Sequence, residues 1–244
     1  NTLELIRSIP SSKIRIIEST WNDSMQDRGY VYGQQKMIAQ FNCTGDWAFY
    51  IEGDEIYHED DLQKIKKSME IHLNNPDVEA LVFDFLHFYG NTNSILNSPG
   101  WYRSEARIIK SSVRSYAPDG LFWLVLDSNK KGRYPKSKHT GVSCFHYGWA
   151  RSEDHMNLKV RQVEKYWGNS PVTIDYTQMD HAIIEKFKGT HPKVVTDWLN
   201  DDTGLFQTDS KYKLSKKQRK HRLMIKLENF FNIELSKKHY KLIK

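Results

Sequence analysis

An apolar run that breaks off into carboxylates constrains this chain more than any other feature. Trp47-Ala48-Phe49-Tyr50-Ile51 follows the turn Thr44-Gly45-Asp46 and runs into Glu52-Gly53-Asp54-Glu55. A continuous apolar run bounded by turn signals predicts a buried strand, of the kind parallel sheets use. Glu59 to Leu73 then predicts a helix: acids lead it, Leu62, Ile65, Met69 and Leu73 form one stripe, and Pro76 stops it. Ala80 to Phe88 predicts a second long strand. Strand, helix and strand at this spacing read as a βαβ unit, which implies an α/β fold with a right-handed crossover.

The remaining elements fit around that unit. Thr2 to Ile9 reads as a helix stopped by Pro10, and Lys13-Ile14-Arg15-Ile16-Ile17 as a strand by its β-branched content. Residues 19 to 33 form a polar loop, and Gln34 to Asn42 reads as a helix on Met37, Ile38 and Phe41. A loop over residues 90–101 precedes strand patterns at Arg103–Ile109, Phe122–Leu126 and Gly141–His146. Ser152 to Trp167 predicts a helix capped by Ser152, with Glu153 and Asp154 in its first turn. The body spans 1–200, and 201–244 is a linker plus a basic amphipathic helix.

Composition narrows the class. With 244 residues, 39% apolar and 13% aromatic, the chain has ample material for a core, so wholesale disorder is excluded. No stretch approaches the roughly 18–20 apolar residues that span a bilayer, and Asn1 to Arg7 lacks the layout of a signal peptide. Cys43 and Cys144 are too few and too far apart for a disulfide framework, so a cytoplasmic location is expected. From Lys211 to Lys244 there are 12 Lys or Arg against Glu228 and Glu234, a local net of +10 within a total of +6. The body is therefore mildly acidic, which argues against nucleic acid as a partner.

The acidic strand end is where chemistry is expected. Hard cations such as Mg2+ and Mn2+ take carboxylate oxygens and keep waters or substrate phosphates as further ligands. Ligands of open α/β sheets bind beyond the carboxyl ends of the strands, which is where Glu52 and Asp54 would sit. In an extended segment their side chains point the same way, with Gly53 between them open to a ligand. A solvated acidic turn accounts for the same residues. Asp84 and His87 interrupt an apolar strand, either as structural pairs or on the wall of a cleft. His181 and His191 carry less signal, and no nucleophile elbow supports a hydrolase triad.

The segment Gly45 to Glu55 resembles the DxD-type segment of family 2 glycosyltransferases, with Glu52 standing where the family has Asp. Trp101 to Ile109 resembles the strand after the metal site of that family. His146-Tyr147-Gly148-Trp149-Ala150-Arg151, followed by Met156, Lys159 and Tyr166-Trp167, is similar to the ending of its lipopolysaccharide-core branch. The resemblance covers about residues 1–200 in order. It implies a GT-A fold, a Rossmann-like mostly parallel sheet flanked by helices, with 201–244 as a C-terminal helical extension. It also places the family's first nucleotide-binding strand upstream of Asn1, missing from these residues.

The implied activity is inverting transfer of a sugar from a nucleotide-diphosphate donor to a glycan or lipid-linked acceptor, as in polysaccharide biosynthesis. Glu52, Asp54 and His146 would hold Mn2+ or Mg2+ against the diphosphate. A carboxylate must deprotonate the acceptor hydroxyl; by position this is Asp119, with Glu105 and Asp127 behind it, although Pro118-Asp119-Gly120 also reads as a turn. A competing class is an inactive domain of this type that serves as an anionic-surface binding module. In the tail, Leu223, Leu227, Phe230 and Phe231 form the stripe of an amphipathic helix whose start is crowded by Lys216, Lys217, Arg219, Lys220 and Arg222. That stripe either packs on the body or lies on the inner face of an anionic membrane, giving a peripheral contact through 216–244.

Overall fold

The computed structural model describes residues 2–168, 170, 172–200 and 208–243, a mixed α/β arrangement. Its helices are α1 (Thr2–Ser8), α2 (Tyr30–Phe41), α3 (Leu62–Leu73), α4 (Glu153–Glu164), α5 (Thr196–Asn200) and α6 (Lys216–Phe231). The main sheet takes β1 (Trp47–Phe49), β2 (Glu55–Tyr57), β3 (Ala80–Tyr89), β4 (Ser94–Leu96) and β5 (Ser104–Lys110). Outside it, β6 (Ser115–Tyr116), β7 (Leu124–Leu126) and β8 (Gly132–Arg133) form a small antiparallel sheet. Then β9 (Lys136–Trp149), β10 (Ile184–Lys186) and β11 (Lys241–Leu242) complete the eight strands of the main one.

The spine is β3. It runs parallel to β9 along one edge and antiparallel to β5 and then β4 along the other. Beyond β5 lies β1, again antiparallel, and beyond β9 lie β2, antiparallel, and β11, parallel. The pairing is thus mostly antiparallel, not mostly parallel as expected. Continuous apolar runs report burial on both faces and say nothing of direction. Short connections such as that from β3 to β4 place antiparallel neighbours side by side. The expected strand-helix-strand unit is present in order, but β5 is threaded between β1 and β3, so the two run the same way without touching.

Side-chain alternation on β3 divides the core in two. Ala80 and Val82 face Ala106, Ile109 and Trp123, while Leu81, Phe83 and Phe85 pack with Ile108, Val142, Cys144 and Ile65 of α3. Both faces are filled over Ala80 to Phe83, which is why β3 opens as an apolar run before Asp84 turns to the surface. Lys13 to Ile17 does not form the expected strand; Ile14, Ile16 and Ile17 are each 39% exposed. A lone extended segment needs a sheet edge for its backbone groups, and this one meets none among the described residues.

Helix α2 presses against the loop at Ala117 and Asp119. A Cβ on Gly33 would stand 2.5 Å from the Ala117 carbonyl oxygen. Alanine is ordinarily the better helix former, but here the clash is with backbone and should win. Gly33→Ala is expected to destabilise the chain by about 1–3 kcal/mol, checked by the urea midpoint; a gain in stability would show that the helix is free to shift.

The C-terminal helix docks through a face other than its apolar stripe. Arg103 donates two hydrogen bonds to the buried Glu228 at 2.8 and 3.0 Å, and Arg222 donates two to Asp180 at 2.8 and 2.7 Å. Ile225 joins the cluster of Leu96, Met156 and Tyr176. After the helix, His239 stacks on Phe122, Tyr240 bonds to Ser104, and β11 adds to the edge of β9. Among the described residues no helix is long and apolar enough to cross a membrane.

Candidate functional site

The acidic strand end does not continue as a strand. β1 stops at Phe49, and the Glu55 amide donates to the Glu52 carbonyl at 3.1 Å, closing a turn over residues 52–55. That turn, not an extended chain, sets the carboxylates, so Glu52 and Asp54 face different partners. Glu52 lies 3.7 Å from the Arg107 guanidinium, while Asp54 accepts from Lys159 at 2.8 Å and faces His146 Nε2 at 3.7 Å. Glu55 turns inward to the fully buried Arg107 and also accepts from the Glu52 amide, locking the turn from beneath. A buried arginine between two glutamates is a costly arrangement, kept satisfied by the Leu121 carbonyl as well.

Glu52, Asp54 and His146 all line one cavity of about 560 Å³. The remaining walls come from helices with a helical spacing. On α2 they are Tyr32, Gln35, Lys36 and Ala39; on α4 they are Met156, Lys159, Val160, Val163 and Glu164. Trp21, Tyr50, Trp101, Tyr102, Trp149 and Trp167 add aromatic faces. Such a wall offers flat, polarizable surfaces to a ring, with a few charged groups to orient it.

The protonation state of His146 follows from its neighbours. His87 Nε2 lies 2.7 Å from the Tyr102 carbonyl, which only accepts, so that nitrogen carries the proton. Burial, with His146 beside it, pushes the His87 pKa down to about 3, so the ring is neutral and its Nδ1 accepts. His146 Nδ1, 2.8 Å away, must then donate. Burial holds His146 below its ordinary value too, so its Nε2 presents a lone pair to Asp54. Burial would raise Asp54, but Lys159 beside it, with His146 adding to it whenever that ring is protonated, brings the carboxyl below its usual range. Glu52 moves the other way, raised by burial despite Arg107.

A lone pair and a carboxylate oxygen facing one another at 3.7 Å are two ligand atoms with no proton between them. Gly148 keeps the ground beside them clear: a Cβ there would stand 2.7 Å from both Asp54 Oδ2 and His146 Nε2. Gly148→Ala is therefore expected to weaken ligand binding about tenfold or more with the melting temperature near that of the parent chain; unchanged affinity would mean the space is not used. Among the described residues no three His, Cys, Asp or Glu side chains are grouped to hold a metal ion. The expected trio thus resolves into the pair Asp54 and His146, with Glu52 apart. The Asp54 oxygen suits Mg2+ or Mn2+, which bind through one or two carboxylates and take substrate phosphates for the rest, and the imidazole nitrogen beside it is the softer donor of the pair.

Other expected residues are placed differently. Glu105 is buried away from the cavity, 2.6 Å from His239 Nδ1 and bonded to the Ala106 amide, which removes it as a base. Asp119 accepts from the Leu121 amide at 2.7 Å, the turn reading, although Gly120 and Leu121 themselves line the cavity. Asp127 pairs with Arg133, Asp84 with His139 at the surface, and His191 with the Tyr147 hydroxyl. His87 is the orienting partner of His146.

Lys36 was missed. Its side chain is 3% exposed, its Nζ has no hydrogen-bond partner, and it sits 4.0 Å from the Tyr50 and Trp123 ring centroids. Burial, with Arg107 adding to it, pulls its pKa down to about 7. The signal was a mixed helix face: Tyr32, Gln35, Lys36 and Ala39 recur at helical spacing beside the more apolar Met37 and Ile38. No protein-family model matches the chain, and no curated protein matches it.

Proposed function

We propose that this chain is a glycosyltransferase domain of the GT-A type, moving a sugar from a nucleotide-diphosphate donor to a glycan or lipid-linked acceptor with inversion. The observation that carries this reading is the pairing of Asp54 with His146 and Lys159 at one wall of an aromatic-lined cavity. Aromatic faces suit the sugar and base rings, and the cationic and metal-competent wall suits a diphosphate. Asp54 and His146 would hold Mn2+ or Mg2+, which neutralises the charge developing on the leaving diphosphate.

The chain's own groups divide the rest of the work. Lys159 supplies a donor toward anionic oxygens from α4, and Lys36 on α2 adds a titratable group behind the cavity wall. His87 keeps the His146 lone pair directed into the cavity. The acceptor hydroxyl oxygen forms its bond to the anomeric carbon as the bond to the diphosphate oxygen breaks, and the hydroxyl proton needs a base. We assign that base to Glu52 over Asp119 on position, because Glu52 lines the cavity while the Asp119 carboxylate caps its own turn.

The test is to incubate the chain with Mn2+, a panel of nucleotide sugars and mixed oligosaccharide acceptors, and follow release of the nucleoside diphosphate. One nucleotide sugar turned over in an acceptor-dependent way is the expected result. No release from any donor, with binding also absent, would remove the activity.

A further inference from the structure

We infer that the outward face of α6 is a docking surface for an anionic lipid bilayer. The helix is 16 residues long, about 24 Å. Its inward face is fixed by Arg222 on Asp180, Ile225 in the core and Glu228 on Arg103. That docking leaves the apolar stripe outside: Leu223 is 59% exposed, Leu227 40%, Phe230 80% and Phe231 58%. A stripe of this kind ordinarily faces a core, and four large apolar side chains on one exposed helix face form a patch that needs an occupant.

Charge identifies the occupant. At about 100° per residue, Lys216, Arg219 and Lys220 fall on the same side of the helix as Leu223, Leu227, Phe230 and Phe231, and all three are exposed. The outward face is therefore basic in its first half and apolar in its second. A bilayer offers both complements at once, phosphate headgroups to the lysines and acyl chains to the rings. The helix has no acid in its first turn; its N-terminus is closed instead by the capping box of Ser215 and Gln218. The basic entry is thus kept stable without neutralising it, and the tail as a whole carries a net of +10. Such attraction is screened beyond a Debye length of about 8 Å at physiological salt.

This surface is independent of the proposed catalysis and is tested separately. The full chain is sedimented with vesicles of phosphatidylcholine alone and of phosphatidylcholine mixed with phosphatidylglycerol. Binding is expected only to the anionic vesicles and should fade as salt rises. Lys216→Ala, Arg219→Ala and Lys220→Ala together should weaken it by on the order of a hundredfold, about fivefold for each basic residue. Phe230→Ser with Phe231→Ser, at exposed positions the fold does not use, should abolish it. The inference fails if anionic vesicles leave the chain in solution at low salt, or if the double Phe variant binds undiminished. It also fails if light scattering shows a dimer that the double Phe variant dissolves, since a second copy would then cover the face.

Discussion

Asp54→Asn should reduce sugar transfer by about 10²–10³-fold, the usual consequence of removing one group that balances charge in the transition state. The change keeps the shape of the side chain and removes its charge. Asp54 is the carboxylate that faces both His146 and Lys159, so the loss should appear as weakened donor and metal affinity. Its pairing with the part-exposed Lys159 is worth little to the fold, so the thermal transition should stay close to that of the parent chain. Glu52→Gln separates the two carboxylates: if Glu52 accepts the acceptor's proton, turnover falls while donor affinity holds. Steady-state kinetics with a binding titration checks both. Equal loss of affinity in the two variants would merge their roles, and full activity in Asp54→Asn would remove the metal and diphosphate assignment.

Lys36→Met should stabilise the chain while impairing it. An ammonium with no hydrogen-bond partner bears a desolvation cost that the faces of Tyr50 and Trp123 offset only in part. Its pKa of about 7 in the fold lies below the ordinary lysine value of 10.5. Between those two values the unfolded chain binds more protons than the folded one, so stability rises with pH across that window. Methionine keeps the volume and removes the charge. The expected gain at pH 7 is on the order of 2–4 kcal/mol, and the pH slope between about 7 and 10 should flatten. Urea unfolding at several pH values reads both effects. A loss of stability would show that the amine is satisfied within the fold. A gain in stability together with weaker ligand binding is the signature of a group kept for function.

Sequence patterns located the segments better than their partners. The runs Trp47 to Ile51 and Ala80 to Phe88 were legible as strands because apolar residues dominate both, with only Asp84 and His87 interrupting the second. Their direction was not legible, since it depends on where β5 inserts between them. The Ser152 cap of α4 was legible because capping is local: its hydroxyl accepts from the His155 amide as the sequence suggests. The Lys13 to Ile17 strand failed for the opposite reason, because a strand exists only with an edge to pair with.

At the site, Glu52, Asp54 and His146 were drawn to one cavity as expected. Their mutual geometry was not foreseeable, because a four-residue turn clamped by Glu55 replaced the extended chain on which the side-by-side carboxylates depended. Glu105 looked available by position along the chain, yet His239, 134 residues later, takes its carboxylate. Lys36 was hidden for a related reason. A face that lines a cavity mixes apolar and charged residues, so it gives no clean amphipathic stripe. The tail inverted the usual rule, since ion pairs to the buried carboxylates of Asp180 and Glu228 anchor α6 and turn its apolar stripe outward.

The measurement closest to the central claim is calorimetric titration of the full chain with uridine, guanosine and thymidine diphosphate sugars, each with and without Mn2+. One class should bind at a single site per chain, more tightly with the cation, and Asp54→Asn should erase the effect of the cation. Absence of binding by every class in both conditions, from a chain shown to be folded, would contradict the account.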